Sequence, residues 1–459
     1  MATTHPDRTA PPPQAPAASA VNAASARLRK PLDLLLGAGL GKLLRSIGIG
    51  QPSAPGENLL DLADAILSVR GRASGPSLAA AFFRLYESRS QAQRRRFLET
   101  IHERYPLNAH AIDKAIAQWQ AKRDEASGLA LHAASKSPCR RLINLLNTAP
   151  DGTQKLLWLR EDLLSVARDD RSAGLLAFDR ELEGAFTAWF NAGFLELRRI
   201  GWDSPAVLLE RIIRYEAVHA IRGWDDLQRR VEPVDRRCYA FFHPQMPLDP
   251  LIFVEVALTR EVPGAIHEVI AEERESVPVA EANCAIFYSI SNCQKGLKGI
   301  PFGNHLIKRV VGQLREELPH IETFATLSPV PGLARWLDGE DPGKAPALTD
   351  DTLRAEAARY LVLAKGRGNQ PSDPVARFHL GNGARLEAIH ANADLSPNGV
   401  RQSRGIMVNY LYDLDYIEAN CFALAEMGTV ATSKKVRALL DDGSDEESGG
   451  KRRKSTDAA

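Results

Sequence analysis

The chain has 459 residues, 44% of them hydrophobic and 25% charged, with a formal net charge of +1. That is ordinary globular composition for about two to three domains, and it excludes a global field that would draw in nucleic acid or an acidic membrane surface. The five cysteines (Cys139, Cys238, Cys284, Cys293 and Cys421) are odd in number and fall at no metal-binding spacing, so a reducing, cytoplasmic compartment is expected.

Residues 1–25, with the run PPPQAPAASA, read as a disordered tail that lacks the apolar block of a secretory signal. The best apolar run, Leu34 to Leu44, is too short to span a membrane, with Asp33 before it and Lys42 inside it. From 26 to 190 the apolar residues recur at three- and four-residue steps, as in NLLDLADAILSVR, QAQRRRFLETIHERY and HAIDKAIAQWQAKRD. Breaks come at GRASGPS and YPLNAH. An all-helical domain is expected over 26–190, of a kind that serves as scaffold or oligomer interface.

The texture changes over 191–440. A helix is predicted around PAVLLERIIRYEAVHAI, then two strands at RCYAFFHP and DPLIFVEVALTR, and a helix at VPGAIHEVIAEE. The centre of the chain runs from Cys284 to Gly332. A strand over Ala285–Ile290 leads into a glycine-spaced loop, QKGLKGIPFGN, and an amphipathic helix with Leu306, Ile307, Val310, Val311 and Leu314 on one face. A second strand, Ile321 to Leu327, delivers Ser328 into a Pro-Val-Pro-Gly turn. Strand, loop, helix and strand make a right-handed crossover, so the two strands are expected to be parallel with Ser328 at their carboxyl edge. Helices follow at LARWLDG and DTLRAEAARYLVLAK, and then FHLGNG and GIMVNYLYDLDYIEANCFAL. Residues 441–459 are a polar tail that cannot bury a core.

The glycine loop has neither a Walker ending nor the G-x-G-x-x-G spacing. Its backbone N–H groups, with Lys295 and Lys298, can still wrap a phosphate, although a plain flexible connection has the same look. Ser328 stands before a proline without a nucleophile elbow, and His379 lies beside an Asn-Gly turn; each alone is as well read as a turn residue or a satisfied polar group. His267-Glu268 lacks the second histidine of a zinc helix.

FYSISNCQKGLKGIPFGNHLIKRVV, ELPHIETFATLSPVPG, FHLGNG and GIMVNYLY, in this order and with these gaps, resemble malonyl-CoA decarboxylases. Weaker echoes in RRCYAFFHP, EAVHAI and RLINLL extend the likeness over all but the tails. The resemblance implies an N-terminal helical oligomerisation domain followed by a catalytic domain with a GNAT-like acyltransferase fold, an α + α/β architecture. It assigns malonyl-CoA binding to Lys298, Gly299, Ile300, Pro301, Phe302, Gly303 and Asn304 with Ser328 and His379, and makes Ser328 and His379 the catalytic pair. Ser328 is expected to orient the departing carboxylate or the thioester oxygen, and His379, titrating near neutrality, to protonate C2. The thioester is its own electron sink, so no metal or other cofactor is expected. Two other functions stay open at this stage: CoA-dependent acyl transfer to an amine, and CoA binding without turnover.

Overall fold

The computed structural model describes residues 58–170, 172–303, 306–339 and 348–441. Asn304 and the expected tails, Asp441 excepted, lie outside the described residues, as does the start of the helical region. The chain forms two compact units, one ending at Gly152 and the other beginning at Thr153.

The first unit contains helices α1 (Leu59–Leu67), α2 (Arg70–Ser88), α3 (Gln91–Arg104), α4 (Ala109–Lys122), α5 (Glu125–Ala134) and α6 (Pro138–Leu146). Their starts carry side-chain caps from Asn58, Ser90, Asn108, Asp124 and Ser137, α2 excepted. Each such cap contributes about 1 kcal/mol by taking up an orphan N–H. GRASGPS interrupts the helix as expected: Ser74 leaves helical geometry at φ −131° and ψ 24°, Pro76 follows, and the span labelled α2 is two helical pieces across that kink. The core is apolar and aromatic, with Phe82 edge-on to Phe97 at 5.5 Å and Leu98, Leu142 and Ile143 fully buried. α4 and α5 bury few of their own side chains and leave Ile116, Trp119 and Leu129 exposed.

The second unit opens with α7 (Gly152–Asp169) and α8 (Ala173–Trp189). Next come β1 (Glu196–Ile200), α9 (Ala206–Tyr215), α10 (Trp224–Val231), β2 (Arg236–Phe242), β3 (Ile252–Thr259) and the short α11 (His267–Ile270). The central stretch is β4 (Cys284–Asn292), α12 (Leu306–Glu317), β5 (Thr323–Thr326) and β6 (Ser328–Pro329). Helices α13 (Leu333–Asp338), α14 (Asp350–Val362) and α15 (Pro374–Gly381) lead to β7 (Arg385–His390), α16 (Pro397–Ser403), β8 (Met407–Leu411), α17 (Ile417–Met427) and α18 (Lys434–Asp441).

The strands make one mixed sheet in the order β1-β2-β3-β4-β5-β8-β6, with β7 also on β8. Every pairing is antiparallel except β4 with β5, the parallel pair that the crossover required. A helical region followed by a mixed-sheet domain is the architecture expected from the sequence. Two helices are shorter than their periodicity suggests. α9 stops at Tyr215, because Glu216 turns extended and its carboxylate accepts the Val218 and His219 N–H groups. VPGAIHEVIAEE yields only the single turn of α11.

Two irregularities shape the centre of the sheet. Glu255 pairs with Ser289 and Val256 with Phe287, so Tyr288 is an extra residue in β4. The β4/β5 pairing runs only from Cys284–Thr323 to Phe287–Thr326, followed by one bond from Leu327 N–H to Phe287 O at 3.1 Å. Beyond it the chain turns away to pair with β8, leaving Tyr288–Asn292 and β6 on the two sides of an opening. One sheet face carries Leu208, Leu209, Cys238 and Phe253 in a core with Leu227 of α10. The other carries Tyr239, whose hydroxyl donates to Glu317 of α12 at 3.0 Å.

Candidate active site

Alternation along β6 and β8 sends the Ser328 side chain to the α12 face of the sheet and Pro329 to the opposite face. Ser328 pairs with Val408, in register with Tyr410, whereas Pro329 pairs with Met407 of the other core. His379 arrives from the last turn of α15. The N-cap of that helix is the buried Asp373, whose Oδ1 accepts from Val375 and Ala376 N–H. Its Oδ2 accepts from Gly332 N–H at 3.1 Å, tying the turn after Ser328 to the helix that carries His379.

The two predicted residues meet. Ser328 Oγ lies 3.2 Å from His379 Nε2 and donates to Thr326 Oγ1 at 2.9 Å. A hydroxyl has one proton, so Ser328 Oγ is left to accept from His379 Nε2–H. In that tautomer His379 Nδ1 accepts from the Tyr412 hydroxyl, 2.8 Å away. The Tyr410 ring stacks on the imidazole at 4.7 Å, and Thr326 Oγ1 also accepts from Tyr410 N–H. Ser328 and His379 are 5% and 3% exposed, so both are preassembled out of water. Among the described residues no carboxylate contributes to the imidazole's electrostatics. Burial alone pushes its pKa down to about 3, so the resting ring is neutral and does not titrate near pH 7 as expected.

The glycine loop follows β4 directly. Leu297, Ile300 and Phe302 point inward and are buried, while Lys298, Gly299 and Pro301 stay exposed. At Gly296 a Cβ would sit 2.4 Å from the Leu157 carbonyl oxygen, so only glycine permits this approach. Gly299 has φ +87°, which glycine alone adopts cheaply. Arg160 of α7, 2% exposed, donates from Nη1 to the carbonyls of Gly296 (2.8 Å) and Lys298 (3.0 Å) and from Nε to Asp179 (2.7 Å). Glu161 accepts from Gly296 N–H at 3.3 Å, and burial raises its pKa despite that bond and Lys295 nearby. Above the loop is a cleft of about 730 Å³, lined by Lys295, Lys298, Gly299, Pro301, Arg168 and Phe378. Phe378, the chain neighbour of His379, lines this cleft, and its ring packs against Gly303, where an added Cβ would lie 3.5 Å from it. The loop residues Lys298 to Gly303 and the pair thus share one region of the unit.

Sequence reasoning missed Arg160, Asp373, Thr326 and Tyr412. Thr326 and Tyr412 stand inside the motifs ELPHIETFATLSPVPG and GIMVNYLY, where no role marks them, whereas Arg160 and Asp373 stand in none; Arg160 and Tyr412 act through partners distant in the chain. Capping chemistry could have flagged Asp373, since Asp-Pro before an apolar run is a helix start.

Fold and site together define a helical region joined to a mixed-sheet domain with a preassembled Ser–His pair beside a glycine loop. Residues 193–355 and 340–449 match the family model "Malonyl-CoA decarboxylase C-terminal domain", and 105–190 match the corresponding N-terminal domain. The chain is 35% identical over 349 residues to the mitochondrial malonyl-CoA decarboxylase of Anser anser anser, covering 66% of this chain and 69% of that protein. It is 33% identical to the Rattus norvegicus counterpart over the same length, covering 66% and 70%. The crystal structure of malonyl-CoA decarboxylase from Rhodopseudomonas palustris is similar with a TM-score of 0.78 and 44% identity, over 83% of this chain and 99% of that one. That from Agrobacterium vitis matches with the same TM-score and coverage at 45% identity. The chain belongs to the malonyl-CoA decarboxylase family.

Proposed function

We infer that this protein is a carboxy-lyase converting malonyl-CoA to acetyl-CoA and CO₂. Family membership fixes the reaction, and the observation that carries the site is the buried Ser328–His379 hydrogen bond at the open end of the parallel β4/β5 pair. Lys298, Gly299, Ile300, Pro301, Phe302, Gly303 and Asn304 hold the CoA moiety, and Ser328 and His379 meet the malonyl group.

The reaction begins when the carboxylate turns perpendicular to the thioester plane, so that the breaking C–C bond overlaps the carbonyl π system. CO₂ leaves and the electron pair becomes a thioester enolate. The Ser328 hydroxyl, freed from Thr326, hydrogen-bonds the departing carboxylate or the thioester oxygen and fixes this geometry. C2 then takes a proton from His379 Nε2, directly or through the Ser328 hydroxyl. Because the resting ring is neutral, the charge left behind is relieved by the Tyr412 proton moving onto Nδ1. An enolate carbon is a far stronger base than a phenolate, so the transfer runs downhill, and water later restores the tyrosine proton.

In this reading residues 26–190 form the helical domain and 191–440 the catalytic domain, with tails at 1–25 and 441–459. The protein is a homo-oligomer joined through its helices, a reading supported by exposed Ile116, Trp119 and Leu129. It works in the cytoplasm; no helix among the described residues is long and apolar enough to cross a membrane, and the curated animal relatives are named as mitochondrial.

The test is release of acetyl-CoA and CO₂ from malonyl-CoA by the purified protein, with chelator and without an amine acceptor. Release is expected and is lost in Ser328→Ala and His379→Ala. His379→Asn should lower turnover by about 10² to 10⁴ while leaving CoA affinity within about twofold. Equal loss of turnover and affinity sinks the donor role. Saturable CoA binding with no release moves the protein to the acyltransferases or the binding proteins.

A further inference from the structure

The opening between β4 and β6 has a second side. On the face of the sheet away from the Ser328 hydroxyl lies a small pocket of about 160 Å³. Ala217, Val218 and His219 form one wall, and Pro329, Pro331 and Val375 contribute to the other. The first wall is fastened to β4: Ala217 N–H donates to Ser291 Oγ at 3.1 Å, and Glu216 accepts from Ser289 Oγ at 2.7 Å. Pro329 and Pro331 belong to the turn that begins at Ser328. The pocket therefore bridges the two separated strands. It adjoins a larger cleft of about 910 Å³, with which it shares Ala217, Val218, His219 and Asp394. In that cleft the guanidinium groups of Arg230 and Arg229 are paired with Asp226 and Glu272.

His219 gives the pocket its chemistry. The residue is 8% exposed, and its Nε2 is buried without a hydrogen-bond partner. The ring lies against the Tyr288 backbone, and the neutral tautomer protonated on Nδ1 presents a lone pair at Nε2. Burial, the largest influence, lowers the pKa and favours this neutral form although Glu216 and Asp394 oppose it. A lone pair with the carboxylates of Glu216 and Asp394 in its vicinity repels a carboxylate oxygen. It tolerates a neutral linear molecule and attracts an electron-poor carbon. Apolar Val218, Pro329, Pro331 and Val375 suit the same guest.

We propose that this pocket receives the CO₂ formed from the substrate's carboxylate and passes it to the larger cleft, so that the gas leaves on the face opposite the one carrying the Ser328–His379 pair. The proposal rests on the decarboxylase reading above. The C–C bond breaks, its electron pair stays on the thioester enolate, and neutral CO₂ crosses the opening. The pocket holds the product and disfavours return to the anion.

The test uses the full-length enzyme. Val218→Phe fills the pocket without touching Ser328, His379 or the glycine loop. It is expected to lower kcat by about tenfold through slowed product escape and to leave acetyl-CoA affinity unchanged. Trapped CO₂ then recombines with the enolate, so the heavy-carbon isotope effect at the carboxylate on kcat/KM collapses towards unity. A slow variant that keeps or enlarges the wild-type isotope effect has damaged bond cleavage instead, and the proposal falls. His219→Gln keeps the fold testable should the larger residue fail to pack. Its amide N–H replaces the lone pair and retains the carboxylate, so kcat and KM should fall together; unchanged values for both overturn the proposal. A wild-type protein that releases no CO₂ from malonyl-CoA refutes the underlying reaction, an outcome recognisable before any variant is made.

Discussion

His379 is the residue whose environment departs furthest from its sequence context. FHLGNG suggests a polar histidine near a turn, and its place in a family motif made it a candidate donor. Nothing local announces that Tyr410 and Tyr412, more than thirty residues later, close over the ring and remove its water. The consequence is a stability slope. The folded pKa is about 3 against about 6.5 in the unfolded chain, so on acidification the unfolded state takes the proton first. This contribution is complete above about pH 6.5 and is lost as pH falls towards 3, by up to about 1.4 kcal/mol per pH unit. Urea melts of wild type and His379→Asn between about pH 7 and pH 4.5 should show a steeper loss in the wild type. Parallel slopes mean that the folded protein charges this ring as easily as the unfolded chain does.

At the scale of elements, β3 and β4 were legible because a strand buried on both faces reads as a continuous apolar run. The parallel β4/β5 pair followed from the helix between them. β6 could not be read: it is two residues long, one of them proline, and exists only because β8 offers partners. The glycine loop was legible as a loop, but its brace was not, since Arg160 looks like any arginine on an amphipathic helix. Its planar fork bonds two carbonyls and a carboxylate at once, a task that the point charge of lysine cannot repeat. Arg160→Lys should therefore raise KM for malonyl-CoA by about tenfold and change kcat by less than about threefold. A fall in kcat with constant KM would show that the loop does not need this brace to bind.

For the molecule as a whole, the order of helical region and mixed sheet was readable from the change of apolar period near residue 191. The compact units divide at Gly152, and within the second Arg160 and Asp179 bind α7 and α8 to the loop after β4. Periodicity reports which faces are apolar, not which neighbour covers them. The exposed Trp119 and Leu129 bear on assembly. Light scattering should give a mass that is a multiple of the chain's, and Trp119→Glu should shift it downward while the circular dichroism stays unchanged. A monomer at every concentration refutes assembly through this surface.

Arg160 also sets an order in time. It lies 136 and 138 residues ahead of the carbonyls it grips, so during synthesis the guanidinium leaves the ribosome long before they do. Until they arrive, a cation destined for a dry site must wait in water. Loop closure over that span is slow relative to helix formation. The glycine loop thus sets only after its own carbonyls have emerged, and a chain interrupted before Lys298 holds the lock without its key.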